Sequence, residues 1–170
     1  EATRHGAAAF EHHAELPRVE LDNAVATVLV GSFAGAESPA RRDTALVGAE
    51  VALGSGTGAW PLAPAFEHAL VVLEGEVLVG AQVVRPGVLA YLGVGRGELV
   101  LSAGERARVL LLGGEPFAEP VLMWWNFVAR SRDELDRAYQ QWQVGDPRFG
   151  RLRSPLPRIP APPPFWPRPS

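Results

Sequence analysis

From Val19 to about Phe127 the apolar positions fall in short runs rich in valine and leucine, broken by glycine and proline every eight to twelve residues. That spacing predicts an all-β sandwich or barrel. Strands are expected at Ala24–Phe33, Leu46–Leu53, Ala69–Leu73, Glu76–Val79, Gly87–Leu92, Glu98–Leu101, Arg108–Leu112 and Leu122–Val128. Leu73-Glu74-Gly75-Glu76-Val77 predicts a tight reversal, because glycine reaches positive φ without a steric cost. Arg85-Pro86-Gly87 predicts a type II turn. Val109-Leu110-Leu111-Leu112 does not alternate, which predicts burial on both faces and suits a closed or double-layered sheet.

The pattern changes at Ser131. Ser131 followed by Glu134 is a capping box, in which each side chain satisfies a free backbone N–H at a helix start. Leu135, Ala138, Tyr139 and Trp142 then form one apolar stripe, and Gly145 and Pro147 end the element, so a helix is predicted over Ser131–Gln143. Beyond Phe149 the chain is proline-dense from Pro155 to Pro169, a composition that favours extended polyproline II backbone. This tail is expected to lie on its own protein, anchored by Phe165 and Trp166; a ligand for a proline-recognising partner is the other reading. The organisation read from the pattern is an arm or linker over 1–18, a barrel over 19–130, a helix over 131–145 and a tail over 146–170.

Composition narrows the function classes. Apolar residues make up 47% of 170, yet no run approaches the length that spans a bilayer, so a soluble chain without a membrane partner is expected. Net charge is −3 and the arginines are scattered, which gives no electrostatic footprint for nucleic acid. All sixteen basic residues are arginine, as a GC-rich bacterial coding sequence would supply. With no cysteine there is no disulfide, thiolate nucleophile or thiolate metal site, in keeping with a cytoplasmic location. No secretory signal pattern opens the chain, and Glu1 in place of Met suggests a processed chain or a piece of a longer one.

Candidate chemistry is sparse. His5, His12 and His13 precede the first expected strand, and adjacent His12 and His13 would point to opposite sides of extended backbone. Glu67 and His68 precede the buried-looking strand Ala69–Leu73 and are the candidate metal ligands, with His12 or His13 as possible partners, but a mononuclear site needs three or four ligands converging from several strands. Gly87–Leu92 and Glu98–Leu101 offer only Tyr91 and Glu98, so no metal site is expected, and His68 is expected to bond a loop carbonyl. No serine sits in a nucleophile elbow, and Gly54–Gly58 reads as a turn because neither a P-loop lysine nor a βαβ unit accompanies it. Gly93-Val94-Gly95-Arg96-Gly97 reads as a hairpin connection. No catalytic residue is therefore assigned. Trp124 and Trp125 are adjacent, so one is expected in the core and the other exposed as a binding anchor.

Pro61…Leu73-Glu74-Gly75-Glu76-Val77 and Pro86-Gly87…Tyr91-Leu92-Gly93…Gly97 resemble half of a cupin barrel, a double-stranded β-helix or jelly roll. Arg108 to Val121, then Trp124-Trp125-Asn126-Phe127-Val128, Asp133-Glu134-Leu135 and Phe149-Gly150, resemble the C-terminal domain of the pirin family. The resemblance runs from about Phe10 to Gly150, with Phe10–Pro17 similar to the linker between that family's two tandem cupins. It implies an N-terminal cupin of the same protein as partner, holding iron through three histidines and a glutamate. Some members oxidatively open flavonols such as quercetin; others partner transcription factors or metabolic enzymes. Aligned on Leu73-Glu74-Gly75, the ligand positions fall on Pro61 and Ala63 and on about Val100 and Ser102, so no ligand carries over. The resemblance thus implies a non-catalytic, cofactor-free half whose barrel is packed shut or opens as a small apolar pocket near Trp60, Phe66 and Tyr91. The alternatives are half of an iron-dependent quercetin 2,3-dioxygenase, or a protein-interaction module using an exposed tryptophan and the tail. A homodimer is possible on the apolar surface that a missing partner domain would leave open.

Overall fold

The computed structural model describes residues 8–151 and 153–166; His5 lies outside them. The chain divides into two compact units, one spanning Glu11–Pro116 and the other gathering the described residues of Glu1–Phe10 and Phe117–Ser170.

The first unit carries β1 (Arg18–Leu21), β2 (Ala24–Phe33), β3 (Ala36–Glu37), β4 (Leu46–Leu53), β5 (Gly56–Pro61) and β6 (Glu67–Glu74). It continues with β7 (Val77–Val79), β8 (Gln82–Val84), β9 (Leu89–Gly93), β10 (Glu98–Ala103) and β11 (Ala107–Gly114). A seven-stranded sheet runs β1-β2-β4-β11-β6-β9 with β3 on β2, and a four-stranded sheet runs β5-β10-β7-β8. The ladders are antiparallel throughout. The inner faces share one core in which Trp60, Leu70, Leu99, Leu101, Val109 and Leu111 are almost wholly buried. This is the two-layered all-β architecture that the spacing of the runs predicts, in the jelly-roll form that the resemblance implies.

Three connections differ from expectation for one reason. Gly75 is not the tip of a hairpin: β6 and β7 lie in different sheets, and the chain turns a corner. Its φ of 74° is left-handed, and a Cβ there would sit 2.8 Å from the Arg106 carbonyl oxygen, so only glycine fits. Gly93–Gly97 likewise passes between sheets, held by hydrogen bonds from Gly95 N–H to the Pro64 carbonyl and from Leu62 N–H to the Gly97 carbonyl, each 2.9 Å. Gly56 already belongs to β5, a strand hidden by its glycines. Two-residue reversals and sheet-to-sheet corners use similar residues, and only long-range pairing distinguishes them. The Arg85 turn forms as expected, closed by Val88 N–H on the Arg85 carbonyl at 3.1 Å.

Val109–Leu112 is not buried on both faces. Val109 and Leu111 point inward, whereas Leu110 is half-buried and Leu112 is 37% exposed on the outer face of the sheet.

In the second unit, β12 (Leu122–Trp124) and β13 (Phe127–Ala129) form a hairpin rather than one strand, and they group with the helix rather than with the barrel, which closes at Pro116 and not near 130. Helix α1 spans Arg132–Val144, with Ser131 Oγ accepting from Glu134 N–H at 3.3 Å and Gly145 closing the end. The Glu134 carboxylate accepts from Arg130 N–H at 3.0 Å, one residue before the cap. Leu135 and Ala138 bury the helix stripe against Phe127, Ala161 and Trp166. The proline segment lies along this helix: Trp142 Nε1 donates to the Ile159 carbonyl and Gln143 Nε2 to the Ala161 carbonyl, each at 2.9 Å. Trp166 anchors the segment, and Phe165, although largely exposed, sets its ring edge against Trp124 at 5.2 Å between centroids.

Candidate functional site

The barrel interior is where a cupin would do its chemistry. Side chains alternate across a strand, so the inward residues of β5 and β10 are Trp60 on one and Leu99, Leu101 and Ala103 on the other, with Leu62 just beyond β5. Trp60 pairs with Leu99 in register, and its Nε1 donates to the Asp22 carbonyl at 3.1 Å. The positions aligned to the family's ligands are one residue out of phase with this interior. Pro61 and Val100 are exposed, and Ser102 turns outward to share a 2.7 Å hydrogen bond with Thr57. Those residues therefore do not fill the barrel; their inward neighbours do.

Among the described residues, only His68 and Ser38 bring buried polar side chains into this unit. Ser38 Oγ donates to the Leu29 carbonyl at 2.8 Å. His68 is 2% exposed and faces inward with Leu70 and Val72. Burial holds its imidazole below the usual histidine range, partly offset by the nearby Phe66 backbone, and its Nδ1 has no hydrogen-bond partner. The expected hydrogen bond from His68 to a loop carbonyl does not form: the ring lies among apolar side chains with Nδ1 unpaired. Gly113 makes the space, since a Cβ there would lie 2.6 Å from His68 Cδ2 and 2.9 Å from the Glu67 carbonyl oxygen.

Glu67 and His68 cannot act as a pair. They are consecutive on β6 and point to opposite faces of the sheet: His68 inward, Glu67 outward, where it accepts from the Tyr91 hydroxyl at 2.9 Å. His13 pairs with Glu11 at 3.3 Å, away from any third ligand. No group of three His, Cys, Asp or Glu side chains that could hold a metal exists among the described residues. One orphaned imidazole nitrogen among aliphatic side chains does not fit an iron ion, which needs several converging donors.

Trp60, Phe66 and Tyr91 do not line a common pocket. Trp60 is sealed in the core, Tyr91 is 65% exposed on the outer sheet face, and Phe66 alone borders a cavity. That cavity, about 550 Å³, opens between Ser32, Arg42, Asp43, Thr44, Ala45, Leu46, Ala63 and Phe66. Its cation is already engaged, with Arg42 donating to Ser32 Oγ at 3.1 Å and Glu37 Oε1 at 2.8 Å. Asp43, the carboxylate in the lining, pairs with Arg41 at 3.3 Å. The polar loop between β3 and β4 was the sequence signal for the cavity, missed because loop residues carry no periodicity.

Trp124 and Trp125 do not divide into one core and one exposed residue. Trp125 takes a φ of 53° at the hairpin turn, which breaks the alternation, and both rings are half-buried. Trp125 packs on Trp142 at 5.5 Å between centroids, and Trp124 packs on Trp166 at 5.5 Å.

Residues 49–150 match the pirin C-terminal cupin domain. The chain belongs to the pirin family. It is 45% identical over 94% of its length to a Pseudomonas aeruginosa protein provisionally named a quercetin 2,3-dioxygenase, and covers 51% of that protein. A pirin-like protein of Caulobacter vibrioides is 33% identical over 80% of the chain, which covers 48% of it. A crystal structure of quercetin 2,3-dioxygenase from Acinetobacter baumannii superposes with a TM-score of 0.84 at 38% identity, over 94% of the chain and 55% of that protein. The pirin domain described here thus spans about half the length of the curated relatives it matches. No helix among its described residues is long and apolar enough to cross a membrane.

Proposed function

We propose that this pirin domain is the non-catalytic, metal-free half of a bicupin, and that it supports a metal-binding N-terminal cupin of the same protein. The observation that carries the reading is the filled interior: Trp60 against Leu99, with Leu101, Val109 and Leu111 around them, occupies the space that ligands and substrate would need. Dense apolar packing of this kind serves stability, whereas a site for O₂ and a redox metal needs open coordination positions. The test is metal analysis of the untagged chain after anaerobic loading with Fe(II). Retention well below one iron per chain is expected; one iron per chain would overturn the reading.

The names of the Pseudomonas and Acinetobacter relatives favour a second reading, about the whole protein rather than this half. In it the complete protein dioxygenates a flavonol of the quercetin type, with iron and substrate held in the preceding cupin. Quercetin turnover should then require that preceding half. Turnover by this chain alone would overturn both readings.

A further inference from the structure

We propose that the outward face of the seven-stranded sheet is the seat of the preceding cupin half, received as a second apolar sheet face. This rests on the reading of the domain as a bicupin half and names the surface that reading needs. Strands buried on one face alternate, whereas strands buried on both read as continuous apolar runs. Ala69–Leu73 and Val109–Leu112 are such runs, yet the barrel uses only every second residue of each. The unused residues line up. Register places Leu110 beside Val71 and Val71 beside Leu89, and in the next row Leu112 beside Ala69 and Ala69 beside Tyr91. Two apolar rows thus cross three adjacent strands, with Leu89 56% and Tyr91 65% exposed. Single exposed apolar residues are ordinary, but a contiguous patch of this kind marks an interaction surface.

Two further observations select the occupant. The relatives are about twice as long as this chain, and the matched domain is their C-terminal one, so a body of similar size precedes it. The charges flanking the rows are internally matched: Arg108 bonds Glu50 at 3.4 Å and Glu74 at 2.5 Å, and Tyr91 bonds Glu67 at 2.9 Å. An apolar centre with a self-neutralised rim fits another apolar sheet face better than a charged ligand.

The probe is the N-terminal half of the Pseudomonas relative, purified and shown folded by circular dichroism, titrated against the full chain by calorimetry. The variant Leu89→Arg/Leu112→Arg is expected to weaken binding about tenfold or more, as loss of central interface residues does. Leu78→Arg/Val83→Arg, on the exposed side of the four-stranded sheet, should leave binding unchanged. Weakening by the second pair and not the first would leave the bicupin reading standing and overturn this face. No binding by the unmodified chain would sink the reading and the face together. A chain that sediments as a dimer, becomes monomeric on Leu89→Arg/Leu112→Arg and ignores the probe would assign the face to a second copy instead.

Discussion

Tyr91 and Glu67 meet on the outer face of the barrel, where the tyrosine hydroxyl donates to Glu67 Oε2 at 2.9 Å across the β6–β9 ladder. That hydrogen bond, and then the carboxylate charge, hold the phenol above the usual tyrosine range. Because the folded pKa is raised, the contribution to stability is complete below the unfolded pKa and fades as pH climbs through the folded one. Tyrosinate absorbance should show one residue ionising late, and Glu67→Gln should return it to the ordinary range. An unchanged titration curve in Glu67→Gln would break the assignment.

His68 gives the opposite dependence. Its depressed pKa means that the unfolded chain takes up a proton before the folded one does, so stability is full above about pH 6.5 and drains as pH falls toward the folded value. His68→Leu removes the buried polar ring and should flatten thermal melting temperature against pH between neutrality and about pH 5. A parallel decline in variant and parent would place the acid sensitivity elsewhere.

Gly113→Ala should destabilise the barrel by about 2 kcal/mol or more, since the new methyl meets the His68 ring and the fixed Glu67 carbonyl. Denaturant unfolding measures it. Adding His68→Ala should recover only part of the loss, because the backbone contact remains.

Ser131→Ala removes the side chain that accepts from Glu134 N–H and should cost about 1 kcal/mol of helix stability. Hydrogen exchange should show the loss in Arg132–Val144 and the strand pair Leu122–Ala129, not in β4 or β11. Faster exchange across both units would mean that they unfold as one.

Ala34 sits at a φ of 48° in the β2–β3 turn, where a side chain is strained. Ala34→Gly should stabilise by about 0.5 kcal/mol, the relief of strain exceeding the added chain entropy. A lowered denaturation midpoint would show that the methyl's packing matters more.

Much of the fold was legible because it is local. Ala24–Phe33 and Leu46–Leu53 match their observed strands, since branched apolar runs between turn residues have one good conformation. The helix was readable from Ser131, Glu134 and its stripe, all within three turns. The family followed from the same local motifs, and with it the expectation of a barrel without ligands. What the chain alone could not decide was which side of a strand faces inward and which strands meet. Phase put Trp60 and Leu99 inside the barrel and left Pro61 and Val100, the positions aligned to the family's ligands, outside it, and set Glu67 and His68 back to back. Side-chain direction depends on register with strands up to sixty residues away, as in Arg108 bonding Glu50 from β11 to β4, and no short window contains that information. Val109–Leu112 is the reverse case: its lack of alternation predicted burial on both faces, and only the packing of the two sheets decided that Val109 and Leu111 are covered while Leu112 stays exposed on the outer face.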